Sequence, residues 1–272
     1  MVTSPTYKLG RTWLKVERAV QHLEHLRRRI SLIEGGVFSV AEERDASNLD
    51  RLWRLVPGQS ANDLKDVPMY GVIIGDVVHQ LRSGLDHAAW QLAKPPIAGR
   101  TAFPICLHER NERGSFFGGA DPATGKHFNP IGLDRLRNVP QPAIDFIESM
   151  QPYGRFGLGD PLWALNELWN ADKHRNLIVV ADPQWVQPMA IAFPDGREQF
   201  GPGELKEADS AQGEVLRLDG ASTAEVILAK TAPVRIVYGP SAPAVGGRLV
   251  LPNLEWMLRS VQEVLIGIES FL

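Results

Sequence analysis

Residues 73–92 read IIGDVVHQLRSGLDHAAWQL, and Ile74, Val77, Val78, Leu81, Leu85, Ala88 and Leu92 recur at steps of three or four. That is the period of an α-helix, and the apolar stripe persists for about five turns, so this stretch packs into a helical core. Pro68 suits a first helical turn, where its missing N–H is no loss. The pattern predicts a helix over 68–93.

The same period appears in Trp13, Val16, Val20, Leu23, Leu26 and Ile30, which predicts a helix over 11–33. It returns at the C-terminus in Leu254, Leu258, Val261, Leu265 and Ile268. Asp160 and Pro161 stand as cap and first residue of a helix expected over 161–181. Weaker helical signals in LDRLRNVPQPAIDFIESM are interrupted by Pro140 and Pro142, and the stretch from about 94 to 128 reads as loops.

Between 184 and 247 the stretches WVQPMAIAF, EVLRLDG, AEVILAK and PVRIVYG are rich in β-branched residues and broken by Pro, Gly and Asp. They predict a small antiparallel sheet. Ahead of Pro68, GGVFSVAEER and LDRLWRLVPG read either as a hairpin or, through Leu49, Leu52 and Leu55, as helical pairing. The fold class is therefore α+β, a mainly helical bundle of four to five long helices with a small antiparallel β-sheet inserted before the C-terminal helix. The expected division is a bundle over 1–183, a β-rich insertion over 184–247 and a helix over 248–272 returning to the bundle.

With 44% hydrophobic and 22% charged residues, the 272-residue chain has the composition of a globular protein. A net charge of -3 argues against coating nucleic acid through bulk charge, so any RNA contact is confined to a patch. The single cysteine, Cys106, excludes an internal disulfide and a cysteine-based zinc cage, and behind TAFPI it reads as a small buried hydrophobe. The opening MVTSPTYKLGRTWLKVER lacks a signal-peptide core and no run reaches the ~18 apolar residues of a membrane span. A cytoplasmic protein without membrane contact is expected.

Two polar constellations stand out. On the helix over 68–93, Asp76, His79, Ser83, Asp86, His87 and Trp90 gather opposite the stripe. Arg82 lies at the edge of that face, about 140° from His87, and only its long stem lets both side chains reach one point. The second is NADKHR, residues 170–175: Asn166, Asn170 and His174 recur every four residues, with Glu167 and Lys173 beside them and Arg175 following. Lys173, His174 and Arg175 also suit a helix C-terminus electrostatically, and a buried Asn–His network between helices accounts for the same residues. If the two helices pack together, the two faces meet.

An arginine and a histidine spaced R-x4-6-H is the signature of HEPN-type ribonucleases, and RSGLDH has its shortest form. The chain resembles that helical superfamily. The strings IGDVVHQLRSGLDHAAWQL, FPI, QPY and PLWALNELWNADKHRNL further resemble an uncharacterised bacterial family associated with it, carrying RSxLDH and DKHR, over roughly residues 70–180. A second match, Arg18 with His25, lies on a face expected to be solvated.

The resemblance implies a metal-independent endoribonuclease needing no cofactor, serving as a toxin or a phage-defence effector. RNA cleavage without a metal needs a base, an acid and cations against the charge growing on phosphorus. His87 would move protons and Arg82 would grip phosphate, as the catalytic pair. Lys173 or His174 would supplement them, Asp86 or Asp76 would orient an imidazole, and His79, Ser83, Asn170 and Arg175 would support the site. It also implies a twofold homodimer and raises an antitoxin or other protein partner. Two other readings compete: a non-catalytic HEPN-like binding or interaction module in which Arg82, Asp86, His87 and DKHR form a buried polar network, and a pocket for a small anionic ligand.

Sharper motifs are absent. GADPATGKH has five residues between Gly119 and Gly125 where a phosphate loop needs four, and His127 replaces the required Ser or Thr, leaving a turn-rich surface loop. HLEH, from His22 to His25, lacks two further zinc ligands, RGSFFG is not a nucleophile elbow, and RRR at 27–29 reads as a solvated helix end.

Overall fold

The computed structural model describes residues 8–33, 38–45, 50–57, 65–174, 177–183, 190–192, 198–199, 214–218, 225–227, 231–232 and 234–272. In order come α1 (Gly10–Ile33), strands β1 (Phe38–Arg44) and β2 (Arg51–Pro57), α2 (Val67–Leu92), and a short hairpin of β3 (Gly119–Ala120) and β4 (His127–Phe128). Next are α3 (Ile131–Arg135), α4 (Gln141–Ser149) and α5 (Pro161–Asp172). Then follow β5 (Val179–Pro183), β6 (Ala190–Ala192), β7 (Glu198–Gln199), β8 (Glu214–Leu218), β9 (Glu225–Ile227), β10 (Thr231–Ala232), β11 (Val234–Tyr238) and finally α6 (Val250–Glu269). The fold is α+β and mainly helical, with small antiparallel sheets.

The chain divides into two compact units, the first made of Met1–Arg27, Met69–Val179 and Tyr238–Leu272, the second of Arg28–Pro68 and Val180–Val237. This corrects the expected bundle over 1–183 and insertion over 184–247. Strands β1 and β2 form the hairpin, in register from Phe38↔Pro57 to Arg44↔Arg51, and take partners from far along the chain in a sheet ordered β10-β1-β2-β8. A strand edge left unpaired exposes backbone donors and acceptors, and β8 and β10 satisfy those of β2 and β1. Leu52 is buried inside that unit, while Leu49, the start of the competing helical reading, lies outside the described residues. The second unit also contains β6 between β7 and β9, and most of the pair β5 and β11.

In the first unit the stripes behave as their spacing requires, except that in α6 Met257 is enclosed and the expected Leu258 is only half-buried. Ile74, Val78, Leu81, Leu85 and Ala88 of α2 are fully enclosed, as are Leu254, Met257, Val261, Val264, Leu265 and Ile268 of α6. Truncating a buried leucine such as Leu81 or Leu85 to alanine costs about 2–5 kcal/mol, so α2 alone holds a large share of the stability. In α1, Val16, Leu23 and Leu26 are buried, and Ala19 takes the place expected of Val20. Polar ties fix the helices laterally: Trp13 Nε1 donates to Glu269 at 2.9 Å, Gln91 to Thr12 at 2.9 Å, and Arg27 to Glu255 at 2.6 Å.

Helix α5 begins as predicted, with the Asp160 carboxylate accepting from Leu162 N at 2.8 Å and Pro161 next. It ends nine residues earlier than the expected 181, at Asp172, with Lys173 as its C-cap. The β-branched run after Leu177 forms β5 instead, and Gly239 N bonds Ile178 O at 2.9 Å.

The loop-rich stretch is ordered around the β3–β4 hairpin. Asp121 accepts from Ala123 N and from the Thr124 hydroxyl, and Gly125 takes a φ of +67°, a backbone conformation that favours glycine. GADPATGKH is thus a tight turn that carries Lys126 and His127.

Candidate functional site

Helix α2 turns Arg82 inward, and its side chain is 1% exposed. Nη2 donates to the Phe103 carbonyl at 2.7 Å, while Phe103 N donates to Asp86 Oδ1 at 3.0 Å. Arg82 Nη1 lies 3.0 Å from the same Oδ1, an ion-pair contact one helical turn long whose angle is too poor for a hydrogen bond. The pair therefore clamps one backbone residue from both sides. The guanidinium also lies over the Trp169 indole, 5.1 Å from the ring centroid. Burial, and secondarily the charge of Arg135, depresses the Arg82 pKa, and Asp86 opposes that.

This geometry favours the buried-polar-network reading of Arg82 over the expectation that it grips phosphate. A guanidinium this enclosed, held through Nη2 by a backbone carbonyl and by the charge of Asp86, has no face to offer a ligand, although its Nε and Nη1 make no hydrogen bond. Arg82 and His87 do not converge either. His87 is exposed and lines an open cleft of about 860 Å³ with Asp86, Trp90, Gln91, Lys8 and Arg11. Ser83 is half-buried, and Asp76 and His79 face a separate cleft of about 190 Å³ beside Asp172. His22 Nδ1 lies 3.9 Å from Asp76. The polar face of α2 is thus divided among three surroundings.

The Arg82 side of α2 does meet α5, as the packing argument expects, through Trp169 and Lys173. Lys173 Nζ sits 2.8 Å from the Trp169 ring centroid, and burial, followed by the charge of Arg82, lowers its pKa. Because α5 stops at Asp172, the helical line of Asn166, Asn170 and His174 is broken: His174 is exposed in the following turn. Arg175 lies outside the described residues. Asn166 and Asn170 instead line a cleft of about 290 Å³ with Trp163, Trp169, His108 and Arg113.

That cleft shares Arg113, Gly114, Ile131 and Arg135 with another of about 560 Å³, in which Arg100, Lys126 and His127 join Arg113 and Arg135. Its carboxylate, Asp134, is already engaged by Arg137 at 2.8 Å and Arg100 at 3.5 Å. Arg113 and Arg135 have no ion pair or hydrogen bond among the described residues. Sequence reasoning missed this cationic surface. Its residues come from a loop, a hairpin turn and the five-residue α3, with no shared periodicity. The signal available was the density of Arg113, Lys126, His127 and Arg135 around a tight turn.

Cys106 is 3% exposed, and burial raises its thiol pKa to about 11, as expected of a structural cysteine. Among the described residues no group of three or more His, Cys, Asp or Glu could hold a metal ion, and no helix is long and apolar enough to cross a membrane. No family model, no curated protein and no solved structure matches the chain.

Proposed function

We propose that this protein is a non-catalytic, HEPN-like binding module for a phosphate-bearing ligand, RNA in the first instance. The observation that carries the reading is the enclosure of Arg82 between Asp86 and the Phe103 backbone, which supports a fold-fixing rather than a chemical task for the arginine of the R-x4-H motif. The cations Arg113, exposed, and Arg135, half-buried, have no partner among the described residues and support the ligand class, because guanidiniums that line a cleft bind phosphate oxygens through paired, charge-assisted donors.

A metal-independent endoribonuclease, acting as a toxin or defence effector in a homodimer, is the second reading. The observation favouring it is the exposed His87 in an open cleft with Lys8 and Arg11, where an imidazole for proton transfer and two cations share one surface. In that version Arg11 replaces Arg82 as the phosphate contact.

The deciding experiment incubates a mixed RNA pool with the protein in EDTA, beside His87→Ala and Arg11→Ala, and measures binding by filter retention in the same samples. Retention without cleavage is expected. Cleavage lost in both variants would establish the nuclease reading, and neither retention nor cleavage would end both.

A further inference from the structure

The two clefts that share Arg113 and Arg135 differ in chemistry. The larger, about 560 Å³, is cationic: Arg100, Arg113, Lys126, His127 and Arg135 face it, and Asp134, its carboxylate, is occupied by Arg137 and Arg100. The smaller, about 290 Å³, shares Arg113 and Arg135 with it and adds His108, the indoles of Trp163 and Trp169 and the amides of Asn166 and Asn170. An anion alone satisfies the first chamber and leaves the second unused. A neutral ring alone does the reverse.

Both chambers are satisfied together by a ligand that carries a phosphate on one end and a flat, hydrogen-bonding ring on the other. An indole stacks on a nucleobase face whatever the base, and Trp163 is the one placed to do so because the Trp169 ring already carries Lys173 and Arg82; an asparagine amide offers both a donor and an acceptor to a base edge. Arg135 is the hinge of the arrangement. Its unneutralised charge helps depress the pKa of Arg82 and Lys173, so an incoming phosphate relieves repulsion among cations already in place.

We propose that the two chambers form one site for a nucleoside phosphate, with the phosphate held by Arg113 and Arg135 and the base seated among Trp163, Asn166 and Asn170. This rests on the reading of the protein as a phosphate-binding module and adds the ring. The unit comes either from a free nucleotide or from a single-stranded RNA.

The test is isothermal titration of the whole protein with AMP, adenosine, inorganic phosphate and a short oligo(A) RNA. It is repeated for Arg113→Ala and Asn170→Ala, whose side chains are exposed and whose fold is checked by circular dichroism. AMP is expected to bind at least about tenfold more tightly than adenosine or phosphate, since it alone fills both chambers. Arg113→Ala should weaken AMP by about tenfold and Asn170→Ala by about fivefold.

Oligo(A) binding tighter than AMP, and weakened by both substitutions, identifies RNA as the source; AMP binding without RNA binding identifies a free nucleotide and removes RNA from the proposed function. Phosphate binding as tightly as AMP, or AMP binding indifferent to both substitutions, overturns the site. RNA binding unaffected by either variant, with AMP silent, also overturns it while leaving the binding-module reading intact.

Discussion

Arg82 Nη2 donates a 2.7 Å hydrogen bond to the carbonyl of Phe103, joining the middle of α2 to a loop residue that is itself fully buried. Asp86 takes the N–H of the same residue, so a side-chain pair on one helical turn completes both backbone bonds of a strandless segment. Buried backbone groups that lack a sheet or helix must find such partners. The R-x4-H motif thus contains a structural bond between its first position and the chain beyond its last.

Arg82→Ala should be strongly destabilising. It leaves the Phe103 carbonyl without its donor and Asp86 without its cation, and removing one partner of a buried pair costs about 3–5 kcal/mol, here toward the low end because Asp86 remains partly solvated. Arg82→Lys, keeping one donor, should recover part of the loss. Urea unfolding midpoints check this, and an alanine variant as stable as the wild type would show the clamp to be idle.

Two glycines of α2 mark where the end of α5 and the chain after it come close. A Cβ on Gly71 would stand 2.1 Å from the Leu177 carbonyl oxygen, and one on Gly75 would stand 2.5 Å from Asp172 Oδ1. Alanine favours a helix over glycine by about 1 kcal/mol, which offsets part of either clash. Gly71→Ala meets backbone and should lose about 2 kcal/mol net, whereas Gly75→Ala meets a carboxylate that can rotate and should be close to neutral. Thermal melts of the two variants give the comparison, and equal effects would contradict it.

The helical half of this fold was legible because burial imposes a period: α1 and α2 begin and end within one residue of the expected bounds, and α6 within three. Asp160 and Pro161 were legible for a local reason, since cap and first-turn chemistry depends on adjacent residues. What the spacing could not convey was which side of Arg82 faces inward. On a helical wheel Arg82 lies beside the polar face, yet the partner that draws it in, the Phe103 backbone, is set by a loop without periodicity. The pairing of β1 and β2 with β8 and β10 was hidden similarly, because strand partners distant in sequence leave no local trace. Arg113 and Arg135 also meet only through loop geometry.

Cys106 should be inert in the native protein. With its thiol pKa raised to about 11, only about one molecule in a thousand carries a thiolate at pH 8, against about a quarter for a free cysteine. Labelling with a thiol reagent at pH 8 should therefore be slow until urea unfolds the chain and then complete at one equivalent. Rapid native labelling would mean that the surrounding segment opens readily.

Asp172 should give the protein a measurable pH signature. Burial holds its carboxyl above the usual carboxylate range, the neighbouring Asp76 adds to the effect, and His79 opposes it. The folded chain therefore holds this proton more tightly than the unfolded chain does. The resulting stabilisation is fully present below the ordinary carboxylate value of about 4 and is lost as pH rises through the raised folded value. Asp172→Asn supplies a neutral group of the same shape at every pH. The variant should gain stability relative to the wild type between about pH 4 and the raised pKa, then hold a constant advantage toward neutrality. Urea midpoints for both proteins at pH 4, 5.5 and 7.5 read this directly. A difference that stays the same across the series would show that the Asp172 proton is not held by the fold.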